Sequence, residues 1–151
     1  MAQVVSTINL KGGVGKTHTT VAIAEVLSAY RKKRVLVIDL DPQTNATTML
    51  IGEKKWQKLN QNGHTLAQLF KDALDPDNAT FDLSKTLQKN VSDVREAHSI
   101  DLLPSSLDLI DVQDRLATIP SGKFFEANPI AILHRAVKAI LDDYDLVLID
   151  C

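Results

Sequence analysis

A chain of 151 residues is the usual size of one domain and is long enough to bury a core. The balance of 17 basic against 19 acidic side chains gives a net charge of -2, which excludes a bulk electrostatic pull toward DNA or anionic lipid and leaves room only for a local basic patch or a basic region beyond the chain. The single cysteine, Cys151, excludes a disulfide framework or a cysteine-built zinc site, and no apolar run approaches the roughly 18 residues of a membrane span.

The N-terminus, MAQVVSTINL, lacks the charged and long apolar regions of a signal peptide, so a cytoplasmic protein is expected. Val4 to Ile8 predicts a short strand. A Gly-rich turn, Lys11 to Gly15, follows it. Lys16 to Tyr30 predicts a helix, with Val21, Ala24, Leu27 and Ala22, Val26, Ala29 forming a broad apolar face. The basic run Arg31–Arg34 closes that helix, where cations complement the dipole; the competing reading is a DNA contact. Val35 to Ile38 is continuously apolar and ends on Asp39, as in a parallel strand covered on both faces.

Residues 51–62, rich in Lys, Gln and Asn, suggest an exposed segment. Thr65 is placed to cap a helix running through Ala73, with Leu66, Leu69, Phe70 and Leu74 inward. Asp75–Pro76–Asp77–Asn78 signals a turn. Ile100 to Leu103 predicts a third strand, stopped by Pro104. Ser105 or Ser106 then caps a helix carrying Leu107, Ile110 and Leu116. Pro129 opens another helix, with Ile130, Leu133, Val137 and Leu141 on one side. Tyr144 to Asp150 predicts the fourth strand. The order implies an α/β fold with a mainly parallel sheet flanked by helices. The abrupt end on an apolar strand suggests a truncated chain.

The chemistry concentrates in Lys11-Gly12-Gly13-Val14-Gly15-Lys16-Thr17, between a strand and a helix. That is the context of a P-loop: backbone N–H groups freed by glycine curl around phosphate oxygens, and the helix N-terminus adds partial positive charge. Lys16 is expected to reach the β- and γ-phosphates of ATP, and the Thr17 hydroxyl to ligate magnesium. The ordinary pattern wants a glycine where Leu10 stands; an extra lysine, Lys11, precedes the glycines instead. Asp39-Leu40-Asp41-Pro42-Gln43 lies at a strand tip, where ligands bind in open α/β sheets, although Asp-Pro alone is a common strand-ending turn. Leu146 to Asp150 is an apolar strand ending in a carboxylate, as a Walker B strand requires. His64, His98 and His134 show no metal-ligand spacing, and Trp56 reads as a partly buried anchor.

KGGVGKT at 11–17, DLDPQTNAT at 39–47, IDLLPSS at 100–106 and YDLVLIDC at 144–151 together resemble the deviant Walker A ATPases, and within them the ParA/Soj partition family. The resemblance covers essentially the whole chain and implies that residues 1–151 are the N-terminal part of a single ATPase domain, truncated at the Walker B strand. It implies that Lys11 reaches across an ATP-dependent homodimer to the partner's nucleotide. It puts hydrolysis on Asp41, support of the magnesium shell on Asp39, and a magnesium-bound water on Asp150. One departure is His18, where family members usually carry Thr; a hydroxyl contact to phosphate is lost while the backbone N–H remains.

The resemblance further implies slow ATP hydrolysis, non-specific DNA as the surface bound, a ParB-like stimulating partner and a nucleoid-associated location, serving plasmid partition, chromosome segregation or cargo positioning. A MinD-like membrane ATPase usually lacks the Pro-Gln of Pro42–Gln43. A metal-cluster carrier needs cysteines beyond Cys151. A nucleotide-binding module without turnover sits poorly with Lys16 and Asp41.

Overall fold

The computed structural model describes residues 2–8, 15–117 and 128–151, with the side chains of 116 and 117 excepted. Lys11, Gly12, Gly13 and Val14, and the side chain of Leu116, therefore lie outside the described residues. Four parallel strands, β1 (Gln3–Thr7), β2 (Val35–Asp39), β3 (Ile100–Leu103) and β4 (Leu146–Asp150), form one sheet in the order β1-β4-β2-β3. All of β2 is buried, as its unbroken apolar run predicts for a central parallel strand. The edge strand β1 is different: Val4 and Val5 are exposed despite their β-branched character.

Strand alternation sorts the core into two layers. Leu36, Ile38, Leu103 and Val147 face helices α4 (Leu66–Leu74), α6 (Leu109–Ala117) and α7 (Pro129–Val137). Val35, Val37, Ile100, Leu102 and Leu148 face α1 (Lys16–Arg31) and α2 (Asn45–Ile51) through Val21, Ala24, Ala46 and Leu50. Each such fully buried Leu or Ile contributes about 1.5–3 kcal/mol relative to exposure.

Several helical faces differ from the periodicity reading. In α7, Ile132, Leu133 and Val137 point inward and Ile130 is 78% exposed. With Ile132 inward, a residue two places back falls about 200° around the helix. Helix α7 stops at Val137, so Leu141 enters a 3₁₀ turn, partly buried against the same layer. In α6 the buried pair is Leu109 and Val112, while Leu107 and Ile110 are exposed. Ser106 starts that turn: its hydroxyl accepts from the Asp108 N–H and its carbonyl from the Leu109 N–H. The apolar face of α1 is narrower than expected, since Val21 and Ala24 are buried while Ala22 and Val26 are exposed.

Residues 51–62 are largely helical: α3 (Glu53–Gln61) follows α2 across Gly52, whose φ of 73° breaks the helix. No residue of α3 is fully buried, which explains the polar composition. Helix α4 starts at Leu66 as expected, with Leu66 and Phe70 buried, although Thr65 makes no side-chain cap. A short helix, α5 (Leu83–Thr86), is capped by the Asp82 carboxylate. The run Arg31–Arg34 lies at the amino end of β2, opposite the tips where Asp39 and Asp150 sit, and Arg34 pairs with Asp145. Lys32 ends α1 in the left-handed region, and the Lys33 N–H turns back to the Leu27 carbonyl.

Candidate nucleotide-binding site

The carboxyl ends of β1, β4 and β2 bring Thr7, Asp150 and Asp39 side by side in register. Gly15 precedes α1 with φ of 81°, a conformation that favours glycine, and its carbonyl accepts from the Thr19 N–H at 2.9 Å. The first turn of α1 therefore opens toward the strand tips. Thr17 Oγ1 donates to Asp150 Oδ2 at 2.7 Å. Thr20 and Thr7 hydroxyls lie 3.2 and 3.3 Å from Asp150 Oδ1, and 2.7 Å from one another. Each hydroxyl has one proton, so these bonds alternate with those to the Lys16 and Ile149 carbonyls. Lys16 Nζ donates to the Cys151 carbonyl at 2.6 Å.

Asp39 is fully buried. Its Oδ2 accepts from the Thr47 N–H at 2.8 Å and the Thr47 hydroxyl at 2.6 Å, and its Oδ1 accepts from the Asp41 N–H at 3.1 Å. Burial raises its pKa to about 7 against the lowering effect of those bonds, and the neighbouring Asp150 adds to the rise. Asp41, two residues on, is partly exposed and accepts the Gln43 N–H at 2.9 Å. Burial also pushes the Cys151 thiol up, away from nucleophilic reactivity.

The structure thus brings Lys16, Thr17 and Asp150 together and sets Asp39 beside Asp150. Asp41 stands on the adjoining loop, and His18 is exposed on α1. Thr7, Thr20, Thr47 and Ser105 were not anticipated. The helical spacing of Thr17 and Thr20 was a signal for one of them; Thr47 reaches Asp39 from eight residues along the chain, Thr7 meets Asp150 only through tertiary contact, and Ser105 bonds the Thr47 hydroxyl and the Asp41 carbonyl. Trp56 is partly buried as expected, its Nε1 donating to the Ser105 carbonyl.

The donors are hard oxygens. Magnesium is commonly held by one or two protein side chains together with waters and phosphate oxygens, and Thr17 with Asp150 fits that pattern. Among the described residues no cluster of three or more His, Cys, Asp or Glu forms a self-sufficient metal cage. No helix among them is long and apolar enough to cross a membrane.

A parallel sheet flanked by helices, with a helix N-terminus and two carboxylates at the strand tips, defines a P-loop NTPase-like α/β domain. The family AAA_31, described as an AAA domain, matches residues 2–151; the chain belongs to it and is of the ParA/Soj type. The sporulation initiation inhibitor protein Soj of Bacillus subtilis is 32% identical over 151 residues, covering 100% of this chain and 50% of Soj. The crystal structure of cobyrinic acid a,c-diamide synthase from Mycobacterium smegmatis, with bound ATP analog and magnesium, is similar with a TM-score of 0.69 and 30% identity, over 100% of this chain and 51% of that one. The structure of pNOB8 ParA bound to nonspecific DNA is similar with a TM-score of 0.62 and 26% identity, over 99% of this chain and 46% of that one. The chain spans about half the length of the curated relatives it matches.

Proposed function

We propose that this chain binds ATP with magnesium, and that the protein hydrolyses ATP to ADP and phosphate as a partition ATPase. The observation that carries the reading is the 2.7 Å bond from Thr17 to Asp150, formed beside Lys16 at the strand tips. Lys16 binds the β- and γ-phosphates, and the P-loop residues Lys11 to Gly15 cradle them. His18 follows in the first turn of α1. Thr17 ligates magnesium directly, and Asp150 receives a magnesium-bound water. Bound magnesium supplies positive charge where negative charge develops on the phosphate oxygens. Asp39, with both oxygens already accepting bonds, supports that arrangement from behind, and Asp41 positions the attacking water.

In this reading ATP favours a homodimer, with Lys11 reaching the partner's nucleotide, and the dimer holds non-specific DNA until hydrolysis releases it. A ParB-like protein stimulates turnover, and the protein resides in the cytoplasm on the nucleoid. The likeness to Soj and to a DNA-bound ParA supports this function. The likeness to an amide-forming synthase favours a second reading, in which ATP activates a carboxylate.

ATP turnover with and without non-specific duplex DNA separates the two. Turnover that rises with DNA and loses that response as salt increases is expected of the partition ATPase. Turnover indifferent to DNA but dependent on an added carboxylate substrate would overturn it.

A further inference from the structure

Ser105 bonds the β2–α2 connection at two points, Asp41 in the loop and Thr47 in the first turn of α2. It is fully buried. Its N–H donates to Thr47 Oγ1 at 2.9 Å, and its hydroxyl donates to the Asp41 carbonyl at 2.6 Å. Its own carbonyl accepts from Trp56 Nε1 at 3.1 Å. The next residue, Ser106, is equally buried and donates to Asn60 Oδ1 at 2.7 Å. Trp56 and Asn60 are four residues apart on α3 and share one helical face. Two consecutive serines therefore join that face to the loop carrying Asp41.

The loop carries backbone strain. Thr44, a β-branched residue, sits at φ of 57°, in the left-handed region that costs on the order of 1–3 kcal/mol for a non-glycine residue. The Thr44 N–H donates to the Asp41 carbonyl at 2.9 Å. The Ser105 hydroxyl donates to that same oxygen, so it secures the turn at the point where the strained residue is tied down.

Resting on the ATPase reading above, we propose that Ser105 is a positioning residue for hydrolysis, holding the Asp41 carbonyl and the Thr47 hydroxyl together and coupling the loop to α3 through Trp56. Ser105 acts through the orientation of Asp41, not by touching the nucleotide. Trp56 is the sole tryptophan of the chain. Its indole N–H ends on the Ser105 carbonyl, so a displacement of the loop on nucleotide binding would alter its emission.

The test compares the full-length protein with its Ser105→Ala and Trp56→Phe variants. Four quantities are read: affinity for a fluorescent ATP analogue, kcat and KM for ATP, Trp56 emission on adding magnesium ATP, taken as the part of the tryptophan signal that Trp56→Phe removes, and amide hydrogen exchange across residues 39–47 without nucleotide. Ser105→Ala is expected to keep its affinity within about twofold and to lower kcat roughly 10- to 100-fold with little change in KM. Its Trp56 response is reduced, since the backbone bonds to Trp56 and Thr47 remain while the hydroxyl bond to the Asp41 carbonyl is gone, and it exchanges faster across 39–47. Trp56→Phe keeps an aromatic ring and the serine hydroxyl; it is expected to speed the same exchange and slow turnover less. Parental kcat and parental exchange in Ser105→Ala overturn the proposal while leaving the ATPase reading intact. If Ser105→Ala fails to fold, parental exchange in Trp56→Phe overturns the coupling. A parental protein that does not bind ATP sinks the underlying reading and this inference with it.

Discussion

Asp150 and Asp39 end neighbouring strands in register, both buried, yet they are held in different ways. Asp150 takes its partners from other elements: Thr17 and Thr20 on α1 and Thr7 on β1. Those hydroxyls can rotate, and Thr17 can turn from the carboxylate to a ligand. Asp39 takes its partners from the loop that follows it and the first turn of α2, two of them backbone N–H groups that cannot turn away without moving the chain. One carboxylate sits in an adjustable setting at the mouth of α1. The other anchors the loop that presents Asp41. The lesson is that a shared residue type at equivalent strand tips can serve exchange in one case and rigidity in the other.

The largest effects should come from the residues that face the nucleotide, Thr17 on the adjustable side and Asp41 on the loop that the rigid side presents. Thr17→Val keeps the shape and removes the hydroxyl; turnover is expected to fall by about a hundredfold or more, with magnesium dependence shifted to higher concentration. Asp41→Ala should leave ATP binding in place and abolish turnover. Unchanged turnover in either variant removes the role assigned to that residue.

The rigid side should show itself in stability. Thr47→Val deletes the hydroxyl between Asp39 and the Ser105 N–H, leaving a buried donor without its acceptor. Urea unfolding should register a loss of about 1–3 kcal/mol. Thr20→Val deletes one of several alternative partners of Asp150 and should cost less, about 1 kcal/mol. Equal losses in the two variants would erase the contrast drawn between the carboxylates.

The smallest effect lies away from the site. Lys32 adopts φ of 53° at the end of α1, where glycine carries no Cβ penalty. Lys32→Gly is expected to stabilise the fold by up to about 1 kcal/mol, seen as a higher urea midpoint, with ATP turnover unchanged. Altered turnover would mean that this end of the sheet is linked to the tips after all.

Much of the fold was legible because parallel strands buried on both faces need continuous apolar runs. Val35 to Ile38 and Leu146 to Ile149 announced themselves in that way. Helical faces were less legible. Ile130 and Ile110 are apolar at plausible spacing, yet point outward, because helix phase is set by what the neighbouring layer accepts. Helices α2 and α3 were missed since polar residues such as Thr47, Thr48 and Lys54 carry no apolar stripe of their own.

The sequence by itself determined the chemical inventory: a glycine-rich loop with Lys16 and Thr17, an aspartate at each of two strand ends, and the turn that begins at Asp41–Pro42. Such features depend on residues close in the chain, so their spacing is visible in one dimension. Only the tertiary structure decided that Asp150 meets Thr7, Thr17 and Thr20, and that Ser105 clasps Asp41 while receiving Trp56. Those bonds join residues from 49 to 143 positions apart. A hydroxyl can bond almost any polar neighbour, so its partner is chosen by packing of the sheet against its helices.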